Sequence, residues 1–171
     1  STVVGLAGAF GSGAMTQSIA DIAQSKCLLV IGTNTFEQHP LIGRRIMQAK
    51  ANGAKIIYAD PRLTPTGKIA DLHLQFYSGT DVALFNCMMQ LILKNGWENK
   101  EFIKNRTKDF EKVKEVVMKD TYSPENVAKI TGVPAATIRR LSKEFGEAAR
   151  VGSTIVIDGK TLPYRPASAI F

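Results

Sequence analysis

Two short aliphatic runs on either side of a helical pattern constrain the fold of this chain more than any other feature. The runs, Cys27–Ile31 and Lys55–Ala59, are too short for typical helices and predict strands buried on both faces. The segment between them predicts a helix with Pro40 in its first turn and Asn52-Gly53 as a left-handed stop. Strand, helix and strand over some thirty residues form a βαβ unit, which predicts parallel strands and a right-handed crossover.

The rest of the chain predicts another strand and a helical second half. Residues 72–76 alternate apolar and polar side chains, which favours a strand, and residues 82–93 are apolar nearly all round, which favours a buried helix. Caps and amphipathic spacing predict further helices over residues 101–106, 110–118, 124–131 and 134–149. Residues 154–160 favour a strand and a turn.

These elements predict the fold class, which is α/β. We expect a three-layer αβα, Rossmann-like domain with a short parallel sheet and a helical C-terminal half. The domain is expected to occupy residues 1–150, and residues 151–171 are expected to be a C-terminal tail or the start of an insertion. The chain starts without methionine at Ser1 and stops at Phe171 within an apolar stretch, which favours a fragment of a longer polypeptide.

Composition and charge narrow the class of protein. With 171 residues, 44% of them hydrophobic and 22% charged, the chain is long enough for one globular domain and has no run that predicts a transmembrane helix. The net charge of +7 suits a partner that carries phosphates, and equally a solvated basic surface of helices. The two cysteines are too few for a disulfide framework or an iron–sulfur site, so we expect buried free thiols in a reducing cytoplasm.

A polar loop follows each of the three predicted strands. These loops are Gly32-Thr33-Asn34-Thr35, Asp60-Pro61-Arg62 and Ser78-Gly79-Thr80-Asp81. In an open parallel sheet, ligands bind at the carboxyl ends of the strands, where loop amides and helix N-termini favour phosphate and a carboxylate accepts from ribose or a base edge. The sequence therefore predicts that Asn34, Asp60, Arg62 and Asp81 converge on one rim that binds a nucleotide-type cofactor.

Each of these loops also has a purely structural interpretation. The first lacks the Gly-x-Gly-x-x-Gly fingerprint and can be a plain strand-to-helix turn, the second an Asp-Pro turn, and the third a helix N-cap. The glycine-rich residues 8–16 lack the ending of a P-loop; they either pack against a large cofactor or form a flexible entry to a helix over residues 16–23. His39 and His73 have no ligand-type cluster around them, so we expect neither a metal site nor a catalytic residue in this chain.

Four blocks together carry a family resemblance. They cover residues 8–14 (GAFGSGA), 31–40 (IGTNTFEQHP), 54–62 (AKIIYADPR) and 78–84 (SGTDVAL), and the likeness continues to about residue 150. In order and spacing they resemble the catalytic subunit of formate dehydrogenases. These enzymes lie within the molybdopterin oxidoreductase family, which includes dimethyl sulfoxide reductase and periplasmic nitrate reductase.

The resemblance implies an αβα domain that holds one of two molybdopterin guanine dinucleotides bound to molybdenum or tungsten. It implies that Asn34, Glu37 and Gln38 lie along the guanosine diphosphate, that Asp60 and Arg62 read the guanosine, and that the third loop closes around it. The complete set of expected cofactor-binding residues is Gly32, Asn34, Thr35, Glu37, Gln38, Asp60, Arg62, Gly79, Thr80 and Asp81.

The departures from the family pattern concern the reaction. The resemblance implies a metal-ligating cysteine or selenocysteine before Ser1, cysteines for an iron–sulfur cluster and a later catalytic arginine, and this sequence holds none of them. The chain alone is therefore not expected to oxidise formate, although the intact enzyme would convert it to carbon dioxide. Expected partners are the remaining domains of the same subunit and an electron-transfer iron–sulfur subunit, and no nucleic acid.

Two other functions compete with this interpretation. Residues 127–141 resemble a helix-turn-helix, with a glycine-containing turn before a basic helix, and the sequence pI is near 9.5. That pattern predicts a nucleic-acid-binding protein. A cofactor-free interaction module is the third possibility, but scaffolding alone gives no reason for Asp60 and Asp81 to stand at the rim.

Overall fold

The chain folds around a four-stranded parallel sheet. The computed structural model describes residues 2–164 and 166–170; Ser1 and Phe171, the predicted cut ends, and Arg165 of the predicted tail lie outside the described residues. The strands are β1 Cys27–Ile31, β2 Lys55–Ala59, β3 Leu72–Leu74, β4 Thr154–Ile157, β5 Lys160–Pro163 and β6 Ala167–Ile170. The helices are α1 Thr2–Phe10, α2 Ile19–Ile22, α3 Thr35–Gln38, α4 Pro40–Ala51, α5 Pro65–Lys68, α6 Asp81–Asn95, α7 Lys100–Arg106, α8 Phe110–Val117, α9 Pro124–Thr131 and α10 Ala135–Ala148.

β1 is an inner strand of the sheet and determines its layering. The strand order is β3-β2-β1-β6, and β1 pairs with β2 on one side and β6 on the other, both parallel. Cys27 and Leu29 face α6, α9 and α10, whereas Leu28 and Val30 face α2 and α4. Fully burying each such aliphatic side chain stabilises the fold by roughly 1.5–3 kcal/mol. The predicted three-layer αβα class is confirmed.

The connections reverse direction between β1 and β6. The chain moves from β1 outward to β2 and β3, then returns through the helices α6 to α10 to pair β6 with the opposite edge of β1. The strand order therefore reverses at β1, and open α/β sheets commonly bind ligands at the carboxyl end of a strand at such a switch point. The loop that follows β1 starts at this point.

The predicted helix between the first two strands is present, and its buried face consists partly of small residues. α4 begins at Pro40 as predicted, and Gly53 follows it with φ +83°. Leu41 and Met47, which have helical spacing, are exposed, whereas Gly43, Ile46 and Ala49 are buried. Small residues face the interior because the helix packs closely: a Cβ at Gly43 would lie 2.6 Å from Cδ1 of Phe36.

The last described residues of the chain take part in the parallel sheet. β4 and β5 form an antiparallel hairpin outside the sheet, but Ala167–Ile170 pairs with β1 as the fourth strand. Ser168 is buried there and its hydroxyl lies 2.9 Å from that of Ser25. The domain boundary expected after residue 150 stays a prediction, and residues 167–170 provide β1 with a hydrogen-bonding neighbour on its second edge.

The glycine-rich N-terminal block is helical at its start. α1 covers Thr2–Phe10 and buries none of its residues, so Gly8 lies in a helix rather than in a loop. The helix expected over residues 16–23 is limited to α2, which begins after a capping box between Ser18 and Asp21. Among the described helices, none combines the length and apolarity needed to cross a membrane.

The two cysteines provide a test of the core. Both are buried and unpaired on the same side of the sheet. Burial raises the pKa of Cys27 to about 12, with the Glu144 carboxylate adding to the rise, and raises the pKa of Cys87 to about 11.

We expect both thiols of the folded chain to react with an aromatic disulfide reagent at pH 8 roughly a hundredfold or more slowly than those of a chain in guanidinium, because so little thiolate is present. Absorbance at the wavelength of the released thiolate measures both rates. Rapid labelling of either cysteine without denaturant would contradict the described packing.

Candidate functional site

The loop after β1 turns sharply at Gly32. This residue has φ +58°, a conformation that L side chains rarely adopt, and its N–H donates to Ala59 O at 2.9 Å. The N–H groups of the next three residues, Thr33, Asn34 and Thr35, donate to no acceptor within the described part of the chain. The turn therefore presents consecutive backbone donors at the carboxyl end of β1.

Side chains of this loop are held from the neighbouring helix α5. Thr66 is fully buried; its hydroxyl donates to Asn34 Oδ1 at 3.1 Å and accepts from Phe36 N–H at 3.2 Å. Thr33 Oγ1 donates to Gln38 Oε1 at 2.9 Å. Thr35 is also buried, and its Oγ1 has no hydrogen-bond partner among the described residues. Asn34 thus helps to shape the loop, while Glu37 and Gln38 are exposed.

A buried phenol links the first two loops. Tyr58 on β2 lies under them, with its hydroxyl 2.7 Å from Thr64 Oγ1 and donating to Thr33 O at 3.3 Å. Burial raises the pKa of Tyr58; the hydrogen bond from Thr64 opposes the rise and the nearby Asp60 carboxylate adds to it. The phenol is therefore neutral near pH 7 and keeps the proton that it donates to Thr33.

The second loop is closed by its own carboxylate. Asp60 Oδ1 accepts from the N–H of Arg62 at 2.7 Å, and Arg62 Nε lies 3.7 Å from the same oxygen. The Asp60 side chain is only 3% exposed, whereas that of Arg62 is 77% exposed. His73 Nε2 donates to Asp60 O at 2.9 Å, and Gln75 Nε2 donates to Pro61 O at 2.8 Å. Residues in and beyond β3 therefore hold this loop, which projects the guanidinium into solvent.

The third loop precedes α6 and is anchored to the helical half of the chain. Gly79 has φ +80°, and Thr80 stands at the N-cap position of α6, but its hydroxyl donates to Tyr77 O at 2.6 Å instead of capping the helix. Tyr77 N–H donates to Thr131 O at 2.9 Å. No hydrogen bond or ion pair among the described residues joins Gly79, Thr80 or Asp81 to the other two loops. The three loops follow strands of one sheet, and among the described residues Tyr58 ties the first loop to Thr64, which follows the second.

The rim formed by the three loops lies apart from two cavities of the chain. One, of about 600 Å³, lies beside α7 and α8, and the other, of about 730 Å³, lies between α2 and the β4–β5 hairpin. Within residues 2–164 and 166–170, no three His, Cys, Asp or Glu side chains form a group that could hold a metal ion.

The supporting residues of the rim were not singled out from the sequence. Three residues, Tyr58, Thr64 and Thr66, shape the first two loops. Of these, only Thr64 lies in a sequence pattern that predicts its structural role. Thr64 precedes Pro65, and its hydroxyl accepts from Gly67 N–H at 3.4 Å, which is the N-cap and first-turn proline pattern.

The comparisons with known proteins agree on one family. The family model described as molybdopterin oxidoreductase matches residues 5–169. The chain is 55% identical over 149 residues to the F420-dependent formate dehydrogenase subunit alpha of Methanocaldococcus jannaschii, which covers 87% of this chain and 22% of the relative. It is 37% identical over 147 residues to formate dehydrogenase H of Escherichia coli, with coverages of 86% and 20%.

A nitrate reductase and a solved structure extend the likeness. The periplasmic nitrate reductase of Desulfovibrio desulfuricans is 38% identical over 160 residues, with coverages of 87% and 21%. Acetylene hydratase from Pelobacter acetylenicus superposes with a TM-score of 0.68 at 30% identity, over 90% of this chain and 20% of that one. The chain spans about a fifth of the length of the curated relatives it matches.

The link made by Tyr58 is testable by removing one oxygen atom. We expect Tyr58→Phe to lower the free energy of unfolding by about 1–1.5 kcal/mol, because the hydrogen bonds to Thr33 and Thr64 are lost without a change in shape. Tyr122→Phe is the matched control, since no hydrogen bond of the Tyr122 hydroxyl is found among the described residues, and it should stay within about 0.5 kcal/mol of the parent. Urea unfolding followed by circular dichroism measures both; equal effects would contradict the assigned role.

Proposed function

Because the chain belongs to the molybdopterin oxidoreductase family, we propose that its rim binds the guanine dinucleotide end of the molybdopterin cofactor. The rim consists of residues 32–38, 60–62 and 79–81. The observation that carries the proposal is the Gly32 turn at the topological switch point, with three consecutive N–H donors that have no acceptor among the described residues.

The chemistry of the rim fits a nucleoside diphosphate. Backbone N–H groups at the start of α3 and in the third loop are donors suited to phosphate oxygens, and the orphaned Thr35 hydroxyl is a further polar atom at this position. A Cβ at Gly32 or at Gly79 would meet nothing within 4 Å, so space is open above both turns. These features support close approach of a ligand to the backbone.

Individual roles follow from exposure. Glu37 and Gln38 are exposed and can accept hydrogen bonds from ribose hydroxyls or from the N–H edge of guanine. Arg62 offers a planar guanidinium to phosphate, and Asp60 acts as its positioning residue through the turn it closes. Thr80 holds the third loop through its hydrogen bond to Tyr77 O, Asp81 is the first residue of α6, and Asn34 keeps the first loop against Thr66.

When bound, the cofactor would supply two-electron transfer at molybdenum or tungsten, and the residues of this chain would position it. We propose that the intact protein is a formate dehydrogenase-type oxidoreductase that converts formate to carbon dioxide. The 55% identity to a subunit named for that activity supports formate over nitrate, since the nitrate reductase cited is 38% identical. We further propose an iron–sulfur cluster and an electron-transfer subunit as parts of the intact enzyme, in the cytoplasm.

The competing helix-turn-helix function lacks free basic groups on its second helix. Arg139 pairs with Glu125, and Arg140 Nε donates to Glu144 Oε1 at 2.8 Å. Ile138 and Leu141 of the same helix are fully buried in the core. The helix therefore presents charges already matched within the domain, which weakens any attraction to DNA phosphates.

Calorimetric titration of the chain with GDP tests the proposed function. We expect saturable binding that Arg62→Ala weakens about tenfold, because a charge-assisted hydrogen bond is worth more than 1.4 kcal/mol. Asp60→Ala should weaken binding in the same direction by freeing the turn, and Arg106→Ala on α7 is the control that should change nothing.

Duplex DNA of mixed sequence provides the second arm of this experiment. We expect only salt-sensitive, sequence-independent association, because the chain is basic overall. Tight DNA binding without GDP binding would favour the helix-turn-helix function, and GDP affinity indifferent to both Asp60→Ala and Arg62→Ala would remove the second loop from the site.

A further inference from the structure

Tyr77 is a large aromatic side chain left in solvent beside the rim. Its exposed fraction is 65%, whereas the adjacent Phe76 is 7% exposed and belongs to the core. The two side chains follow β3 and continue its alternation, so the chain that buries Phe76 turns Tyr77 outward. The ring is therefore not used for packing the domain interior.

The backbone of Tyr77 is fixed on both sides. Its N–H donates to Thr131 O at 2.9 Å, and its carbonyl oxygen accepts from Thr80 N–H at 3.2 Å and from Thr80 Oγ1 at 2.6 Å. The ring rests against Gly132, where an added Cβ would lie 2.8 Å from Cζ of the tyrosine. A ring held in this way loses little conformational freedom when a ligand contacts its exposed side.

Tyr77 is close along the chain to Gln75, which holds the loop that carries Arg62. Gln75 Nε2 donates to Pro61 O at 2.8 Å, and Tyr77 is two residues further along, at most about 7 Å of chain. Gly79, with open space above it, follows two residues later. An aromatic side chain and an open glycine turn thus closely follow, along the chain, the residue that holds the loop with the exposed guanidinium.

We propose that Tyr77 is the stacking platform for the guanine base. This assignment rests on the proposed function and adds to it the residue that distinguishes a nucleotide from a simple phosphate. Stacking is tolerant of base identity because every base has a π-face, so Tyr77 would favour a base over no base. Hydrogen bonds that the N–H edge of guanine donates to Glu37 and Gln38 would select guanine.

Stacking and phosphate binding are separable with two probes, GDP and inorganic pyrophosphate. Titration of the 171-residue chain by calorimetry gives both affinities, and the ring protons of Tyr77 are followed by NMR. We expect GDP to bind more tightly than pyrophosphate and to move the Tyr77 ring signals upfield, which pyrophosphate does not do.

Three variants isolate the ring. Tyr77→Leu should lower GDP affinity about tenfold and leave pyrophosphate affinity unchanged, whereas Tyr77→Phe, which keeps the ring, should bind GDP like the parent. Phe102→Leu, at another exposed aromatic on α7, is the matched control and should change neither affinity. Circular dichroism confirms that each variant is folded.

The outcomes distinguish failure of the stacking assignment from failure of the proposed cofactor binding. If the Tyr77→Leu variant retains the full preference for GDP over pyrophosphate, the stacking assignment is overturned, and the proposed binding of the cofactor at the rim is unaffected. If the parent chain binds GDP and pyrophosphate with equal affinity, the stacking assignment is likewise overturned and phosphate binding at the rim is unaffected. Absence of binding of either probe to the parent chain overturns the stacking assignment together with phosphate recognition by this rim.

Discussion

The pairing of β1 with a strand on each edge is the constraint on which the rest of the structure depends. All its core side chains are buried, Leu28 and Val30 on one face and Cys27 and Leu29 on the other, so helices must cover both faces. Because β2 and β6 lie on opposite edges of β1, the strand order reverses at β1. The position of the first loop at a topological switch point is a consequence of this strand order.

Rigidity at the rim comes from side chains that reach from one loop to the backbone of the next. Tyr58 supports the first loop from below, Thr66 holds Asn34 from the side, and His73 fixes the second loop to β3. Each contact satisfies a backbone or amide group that would otherwise need water in a partly buried position. A loop supported in this way keeps its free N–H groups in one direction.

The sequence was sufficient to predict those helices and strands that depend on a local pattern of residues. Both inner strands have the predicted bounds, α4 begins at Pro40, and the cofactor-binding family was recognised from blocks at the strand ends. The fourth strand was missed because Ala-Ser-Ala-Ile is weakly hydrophobic and gains its place only by pairing with β1, 140 residues away in the chain.

The same limit applies to the site. Whether a given polar side chain faces a ligand or supports a loop depends on tertiary neighbours, and the sequence could not separate the nearly buried Asp60 from the exposed Arg62 beside it. It also drew no attention to Tyr58 or Thr66, whose chain distance from the first loop is more than twenty residues. Side-chain to backbone contacts of this length have no local pattern.

The location of charge decides which part of a nucleotide each group can recognise. The excess of +7 does not lie at the rim: residues 86–171 carry 15 Lys and Arg against 10 Asp and Glu, whereas the rim itself has Glu37, Asp60 and Asp81 against Arg62. Side-chain charge at the rim is therefore net negative and would repel phosphate. On the proposed function, phosphate oxygens would be met by backbone N–H groups and the single guanidinium, while the exposed carboxylate of Glu37 suits the donors of ribose and guanine. Such a rim would select a nucleoside by its hydrogen-bond donors rather than any polyanion by its charge.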